Sequence, residues 1–165
     1  MRRPERVPPG PGQESVWDYP RPPRVEESTE LVEVELGDRL VASTTTSWRV
    51  LETSHPPTYY LPRAAFADVV LRDAAGTSWC EWKGHATYYD LVSGDTVAPK
   101  AGWSYLDPTP GFAVIAGAVA VMPGLVGRCT VDGETVRAQA GGFYGGWVTD
   151  RVVGPFKGEP GTAGW

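Results

Sequence analysis

An alternation of apolar and charged residues constrains the fold of this chain more than any other feature. In "LVEVEL" (31–36), three apolar residues alternate with Glu33 and Glu35, which is the period-two pattern of a half-buried strand. Similar segments follow at short intervals, among them "SWRVLE", "TYYLP" and "HATYYDLV". Turn sequences such as "GD", "DAAG", "SGDT" and "DG" separate them. The sequence therefore predicts a mainly β, antiparallel domain.

One segment, "DPTPGFAVIAGAVA", has helical signals instead. Thr109 is a suitable helix cap and Pro110 suits the first helical position. Gly111 and Gly117 weaken the pattern. We therefore expect one short helix near residues 108–118, running into a strand.

Composition divides the 165 residues into three parts. Residues 1–30 hold seven of the 16 prolines, a density that favours extended backbone over packed structure. Residues 31–138 carry the strand pattern. Residues 139–165 are rich in glycine with scattered aromatic residues, so regular structure there should be sparse. We expect a β domain between an irregular N-terminal arm and an irregular C-terminal tail.

Charge and composition exclude several classes of function. The chain has 15 basic and 20 acidic residues and a net charge of −5, so it has no electrostatic footprint for nucleic acid or for an anionic membrane. No apolar run approaches the roughly 20 residues of a membrane-spanning helix. The N-terminus lacks an apolar signal core, and Cys80 and Cys129 do not make a disulfide framework. We expect a cytoplasmic protein without nucleic-acid or membrane partners.

The stretch "SWCEWKGHATYYDL" (78–91) is the densest in reactive side chains. Interpreted as one strand from residue 78 to 84, it places Cys80 and Trp82 on one face and Lys83 on the other, with His85. Two other segments are also rich in polar and aromatic side chains: the Pro-Pro corner in "RVLETSHPPTYYLP" and the aromatic strand in "AGWSYLDP". Corners at strand ends often present functional side chains. The alternatives are a solvated charged face, an inert buried thiol and ordinary core aromatics.

These stretches together define the candidate site. We expect catalytic or ligand-orienting roles for Lys83, Glu52 and His55. We expect ligand contacts from Tyr59, Tyr60, Cys80, Trp82, His85, Tyr88, Trp103 and Tyr105. We expect no metal and no cofactor.

Four motifs resemble the DUF427 family, a domain of unknown function: "RVLETSHPPTYYLP", "CEWKGHATYYDL", "AGWSYLDPTP" and "IAGAVAVMP". The resemblance covers roughly residues 31–123, and the tail resembles an extended bacterial version of the family. It implies a small β domain similar to β-tent folds, without the zinc of their better-known members. The family sometimes carries a nucleotidyltransferase label. That chemistry needs closely spaced aspartates to hold two metals, whereas Asp90 and Asp95 only flank a turn.

Three functions compete. In the first, the polar and aromatic residues line one pocket of a small-ligand-binding domain, which is an enzyme if Lys83 acts as an acid or base. In the second, the aromatic residues form a non-catalytic cage for a cation, a peptide turn or a cyclic imide-like ligand. In the third, arm and tail mediate a homodimer and no ligand exists. Convergence of Glu52, Lys83 and Tyr60 on one concavity would favour the first.

The cysteines and histidines predict the metal content of the protein. We expect no stoichiometric zinc, since Cys80 and Cys129 lie far apart in the sequence and only two histidines are available to join them. Elemental analysis of the purified protein checks this. Stoichiometric zinc that survives dialysis against a chelator would contradict it.

Overall fold

The alternating segments form strands, as predicted. The computed structural model describes residues 4–165. Within this range the strands are β1 (Glu14–Ser15), β2 (Arg24–Ser28), β3 (Val32–Leu36), β4 (Arg39–Thr44), β5 (Ser47–Leu51), β6 (Thr58–Leu61), β7 (Leu71–Cys80), β8 (Gly84–Ser93), β9 (Thr96–Ser104), β10 (Val119–Val121), β11 (Arg128–Val131), β12 (Glu134–Thr135), β13 (Arg137–Ala138), β14 (Trp147–Val148) and β15 (Val152–Val153). The domain is mainly β, and its longest strands are β7, β8 and β9.

Two antiparallel sheets form the body of the domain. The large sheet has the strand order β2-β5-β6-β10-β9-β8-β7, and the small sheet has the order β12-β11-β3-β4. Two short pairs, β1 with β15 and β13 with β14, lie outside these sheets. Because β2 is the edge strand of the large sheet, residues 24–28 belong to the β domain although they precede the boundary predicted at residue 31.

Two of the predicted turns form as their sequences require. Gly37 and Asp38 join β3 to β4 with φ of 58° and 63°, and Asp132 and Gly133 join β11 to β12 with φ of 48° and 82°. Positive φ at both central residues is the mark of a type I′ hairpin, which glycine and aspartate tolerate best. The predicted turn "DAAG" (73–76) is wrong: it lies inside β7, where a register shift against β8 absorbs it.

Helical structure is confined to short 3₁₀ segments in residues 4–165: Val16–Asp18, Arg63–Ala65, Pro110–Ile115 and Pro123–Leu125. Pro110–Ile115 is the helix predicted near 108–118, with proline at its start as expected. Thr109 does not cap it through its side chain, because its hydroxyl donates to the carbonyl of Trp82 instead. No helix in this range is long and apolar enough to cross a membrane.

The large sheet has an apolar layer on each face. Tyr59, Leu61 and Val119 point to the main core, which the small sheet covers. Tyr60 and Ala120, each one residue along the chain from a member of that core, point to a second cluster on the opposite face. Successive side chains of a strand point to opposite faces of the sheet, so a single strand supplies side chains to both apolar layers.

The arm and the tail pack on the body of their own chain. In the arm, the side chains of Trp17 and Tyr19 are buried. In the tail, Trp147 is fully buried, lies with its ring centroid 4.9 Å from that of Tyr59, and donates its Nε1–H to the Val121 carbonyl at 3.0 Å. Two segments with little regular structure thus close the core of this chain.

The burial of Trp147 predicts that the tail stabilises the fold. Trp147→Ala should lower the free energy of unfolding by about 3–5 kcal/mol, because a large buried ring leaves a cavity that the sheet cannot fill. Urea denaturation followed by circular dichroism measures the change. The matched control is Phe143→Ala, since Phe143 belongs to the same tail but is 81% exposed. Equal effects of the two substitutions would contradict the role assigned to Trp147.

Candidate ligand-binding site

The densest stretch of the sequence forms a hairpin rather than one strand. β7 ends at Cys80 and β8 begins at Gly84, so residues 81–83 are the turn. Cys80 pairs with Gly84, and Trp79 pairs with His85. Gly84 has a φ of 98°, a conformation that L side chains rarely adopt and that allows the sharp reversal. The predicted alternation of faces through this segment is therefore wrong.

A cavity of about 640 Å³ lies on the face of the large sheet that carries Tyr60. We call it the sheet cavity. The turn of the β7–β8 hairpin, the loop after β5 and the tail surround it. Nine of the eleven predicted site residues line it: Glu52, His55, Tyr60, Cys80, Trp82, Lys83, Tyr88, Trp103 and Tyr105. The concavity expected from Glu52, Lys83 and Tyr60 is present.

Two predicted site residues lie elsewhere, and strand alternation explains both. Tyr59 is adjacent to Tyr60 and therefore points to the main core, where its hydroxyl donates to Glu30 at 2.9 Å. His85 is adjacent to Ala86, which lines the cavity, and is itself exposed with its ring centroid 4.8 Å from that of Trp79. Because side chains of a strand alternate between its two faces, a strand that points Tyr60 or Ala86 into the cavity points its neighbour, Tyr59 or His85, away from it.

The tautomer of His55 is set by Gln139. The Gln139 side-chain oxygen accepts from the Gly146 backbone N–H at 3.1 Å, and its nitrogen donates to the Lys157 carbonyl at 2.7 Å. These contacts fix the orientation of the amide, whose nitrogen also lies 3.2 Å from Nδ1 of His55. Because an amide nitrogen only donates, Nδ1 is the acceptor and the neutral ring carries its proton on Nε2.

The other ring nitrogen of His55 lies near a carboxylate. His55 Nε2 lies 3.5 Å from Oε2 of Glu52, and a guanidinium nitrogen of Arg21 lies 3.5 Å from the same oxygen. Burial and, to a smaller extent, the charges of Lys157, Arg21 and Lys83 together lower the pKa of His55 to about 4. His55 is therefore neutral at physiological pH.

Phenol and indole groups form the floor of the cavity. The Trp103 Nε1–H donates to the Tyr60 hydroxyl at 3.3 Å. Burial raises the pKa of Tyr60 well above its ordinary value, and burial, together with the neighbouring Cys80, raises that of Tyr105. Both phenols therefore keep their protons at any physiological pH, which suits them to hydrogen bonding and stacking rather than to proton abstraction.

Three lysine ammonium groups surround this floor, each above an aromatic ring. Lys83 Nζ lies 5.6 Å from the ring centroid of Tyr105, Lys100 Nζ lies 5.8 Å from that of Tyr88, and Lys157 Nζ lies 5.7 Å from that of Tyr144. These distances are within the range of cation–π attraction. Sequence reasoning found Lys83 but missed Lys100 and Lys157.

The tail supplies a wall that the sequence did not predict as part of the site. Gln139, Phe143, Tyr144, Gly145 and Lys157 line the cavity. A Cβ at Gly145 would lie 2.2 Å from Trp103 Cη2, so only glycine permits this close approach. The sequence shows the glycines and aromatic residues of the tail, but no local pattern reveals where a chain without regular structure will pack.

The thiols and acidic groups do not form a metal site within the described part of the chain. No group of three or more histidine, cysteine, aspartate or glutamate side chains is placed to hold an ion among residues 4–165. Cys80 and Cys129 are both free thiols. Burial raises the pKa of Cys129 to about 12, so this cysteine is an inert member of the core.

Comparison with known families identifies the domain. The family model of a domain of unknown function, DUF427, matches residues 24–132. The match covers well over half of the 165 residues, so the chain belongs to the DUF427 family, as its motifs predicted. No curated protein matches the chain significantly.

The lowered pKa of His55 predicts a pH dependence of stability. An unfolded histidine binds a proton near its ordinary value of 6.5, whereas His55 in the fold does so near pH 4. Between these values the unfolded state holds more protons, so stability should fall as the pH falls from about 6.5 toward 4. Urea unfolding of the wild type and of His55→Gln, which cannot be protonated, measures this contribution. Parallel pH profiles for the two proteins would contradict the prediction.

Proposed function

We propose that this member of the DUF427 family binds a small molecule with a flat, largely apolar body in the sheet cavity. The observation that carries the proposal is that aromatic rings from the large sheet and its loops and from the tail line one concavity: Tyr60, Trp82, Trp103, Tyr105, Phe143 and Tyr144. A volume of about 640 Å³ is in the range of small-molecule sites, which are largely apolar with a few placed polar groups.

The polar groups at one end of the cavity favour a role in orienting the ligand. Nδ1 of His55 accepts from Gln139 and Nε2 carries the proton of the neutral ring, so neither nitrogen is free to take a proton from a ligand. Among residues 4–165, Oε1 of Glu52 has no hydrogen-bonding partner, whereas Oε2 is near Arg21 and His55. We assign Glu52 the role of acceptor for a ligand hydroxyl or amine. A catalytic role for Lys83, Glu52 and His55 stays a prediction.

The packing of the tail bears on the dimer hypothesis. Trp147 and Val152 are buried against their own chain and need no second copy to cover them, whereas Phe143 of the same tail is 81% exposed. A homodimer stays a prediction. We also propose that the protein acts in the cytoplasm, because its two cysteines are free thiols, as is typical of a reducing compartment.

Filling the cavity from the tail tests the proposed function. N-phenylnaphthylamine, an uncharged aromatic dye that fluoresces in apolar surroundings, should bind the wild-type protein with saturation. Gly145→Ala should weaken this binding about tenfold or more, because the added methyl group displaces the indole of Trp103 from the floor. Fluorescence titration measures the affinity.

The control for this substitution is Gly111→Ala. A Cβ at Gly111 meets nothing within 4 Å and the residue does not line the cavity, so dye binding should match the wild type. Urea unfolding of both variants verifies that they are folded. A dye that does not bind the folded wild type, or that binds Gly145→Ala equally well, would refute the proposed site.

A further inference from the structure

We propose that the sheet cavity is selective for anions, so that its ligand is an aromatic or otherwise flat apolar molecule bearing a carboxylate, sulfonate or phosphate group. This inference rests on the proposed function and specifies the chemical class of the ligand. Selectivity for anions would distinguish this cavity from an aromatic cage for a cation, which is one of the alternatives that the sequence allows. The distribution of charge around the cavity supports it in three steps.

The first step is the location of the lysines. The chain has twelve arginines but only three lysines, Lys83, Lys100 and Lys157. All three line the sheet cavity, and no arginine among residues 4–165 lines it. The three residues come from the hairpin turn, from β9 and from the tail, so they are remote in sequence and meet only in the fold. A scatter of surface charges would not place every lysine of a chain around one concavity.

The second step is that none of these ammonium groups forms an ion pair with an acidic side chain of the described residues. Among residues 4–165, every ion pair within 4.0 Å is made by an arginine or by His55, and none involves a lysine. The Lys157 ammonium donates to the main-chain oxygen of Trp165 at 3.4 Å. The arginines stabilise the fold through carboxylates, whereas the lysines keep their charge available for a ligand.

The third step is the balance of charge at the cavity. Two carboxylates, Glu52 and Glu81, also line it. Arg21 and His55 contact Glu52, and Glu81 is exposed in the hairpin turn. The charges of Lys83 and Lys157 both disfavour protonation of His55, which places these two ammonium groups close enough to act on one buried group. In a chain of net charge −5, the cavity lining thus has three ammonium groups against two carboxylates.

The lysines also occupy the ring faces that a cation would need. Each ammonium already lies above the ring of Tyr105, Tyr88 or Tyr144. A second cation on the same rings would meet like charge at short range, which is repulsive. An anion that stacks on Trp103 would instead have ammonium groups beside its charged substituent.

A matched pair of dyes tests the inference. Anilinonaphthalene sulfonate and N-phenylnaphthylamine share one aromatic skeleton, and only the first carries a sulfonate. At low ionic strength the sulfonate should bind at least about tenfold more tightly, and added salt should weaken its binding without affecting the uncharged dye. Fluorescence titrations at two salt concentrations measure both effects.

Substitution of the lysines provides the second arm. Lys83→Met, Lys100→Met and Lys157→Met keep an unbranched side chain of similar length and remove the charge. Each should weaken sulfonate binding about threefold to tenfold and change binding of the uncharged dye less than about twofold. Arg39→Met, which removes a positive charge outside the cavity, is the matched control and should alter neither affinity.

The outcomes separate this inference from the proposed function. Equal affinities of the wild type for the two dyes would overturn anion selectivity and leave the cavity as an apolar binding site. Lysine variants that weaken both dyes equally would show that the side chains act by packing, and would also overturn it. Failure of both dyes to bind the folded protein would refute the proposed function itself.

Discussion

A buried guanidinium on β5 is the interaction on which the rest of the structure depends. The Arg49 side chain has no exposed surface, and it is bound by Glu14 of the arm and, at 2.6 Å, by Glu26 of β2. Burial alone would raise the pKa of Glu14, but hydrogen bonds from Arg49 and Tyr19 lower it, so the carboxylate remains charged. A buried charge without its partners is strongly destabilising. The proline-rich arm therefore has to return to the sheet, and β1 of the arm in turn pairs with β15 of the tail.

These contacts explain how segments outside the family match come to line part of the cavity. Residues 24–132 supply the floor of the sheet cavity and two of its lysines. Gln139, Tyr144 and Lys157 come from the tail, which is held by Trp147 in the core and by β1. The matched segment does not enclose the cavity alone. The groups that set the tautomer of His55 and the third ammonium group belong to the part of the chain that follows it.

Features that depend on neighbouring residues could be predicted from the sequence, whereas features that depend on contacts between remote residues could not. Alternation and turn chemistry are local, so "LVEVEL" and its type I′ turn were predictable from neighbouring residues. The hairpin at residues 81–83 was missed because its residues match a strand pattern, while the φ of Gly84 depends on the whole hairpin. Tyr59 and His85 were placed in the site because their motifs are rich in functional side chains, although alternation opposes both. The tail wall depends on contacts such as Gly145 against Trp103, which join residues remote in sequence and leave no local mark.

The concentration of every lysine around one cavity has a practical consequence for handling the protein. Amine-directed reagents, such as succinimidyl fluorophores, aldehyde fixatives and amine-coupling sensor surfaces, normally modify lysines scattered over a protein. In this chain their side-chain targets are Lys83, Lys100 and Lys157, all of them at the cavity. Labelling or immobilisation through these amines alters the cavity itself, so attachment through an affinity tag is the appropriate chemistry. Thiol-directed attachment is no substitute, because the free thiol of Cys80 also lines the cavity. The position of the lysines also makes the rate of lysine acylation a direct reporter of whether the cavity is occupied.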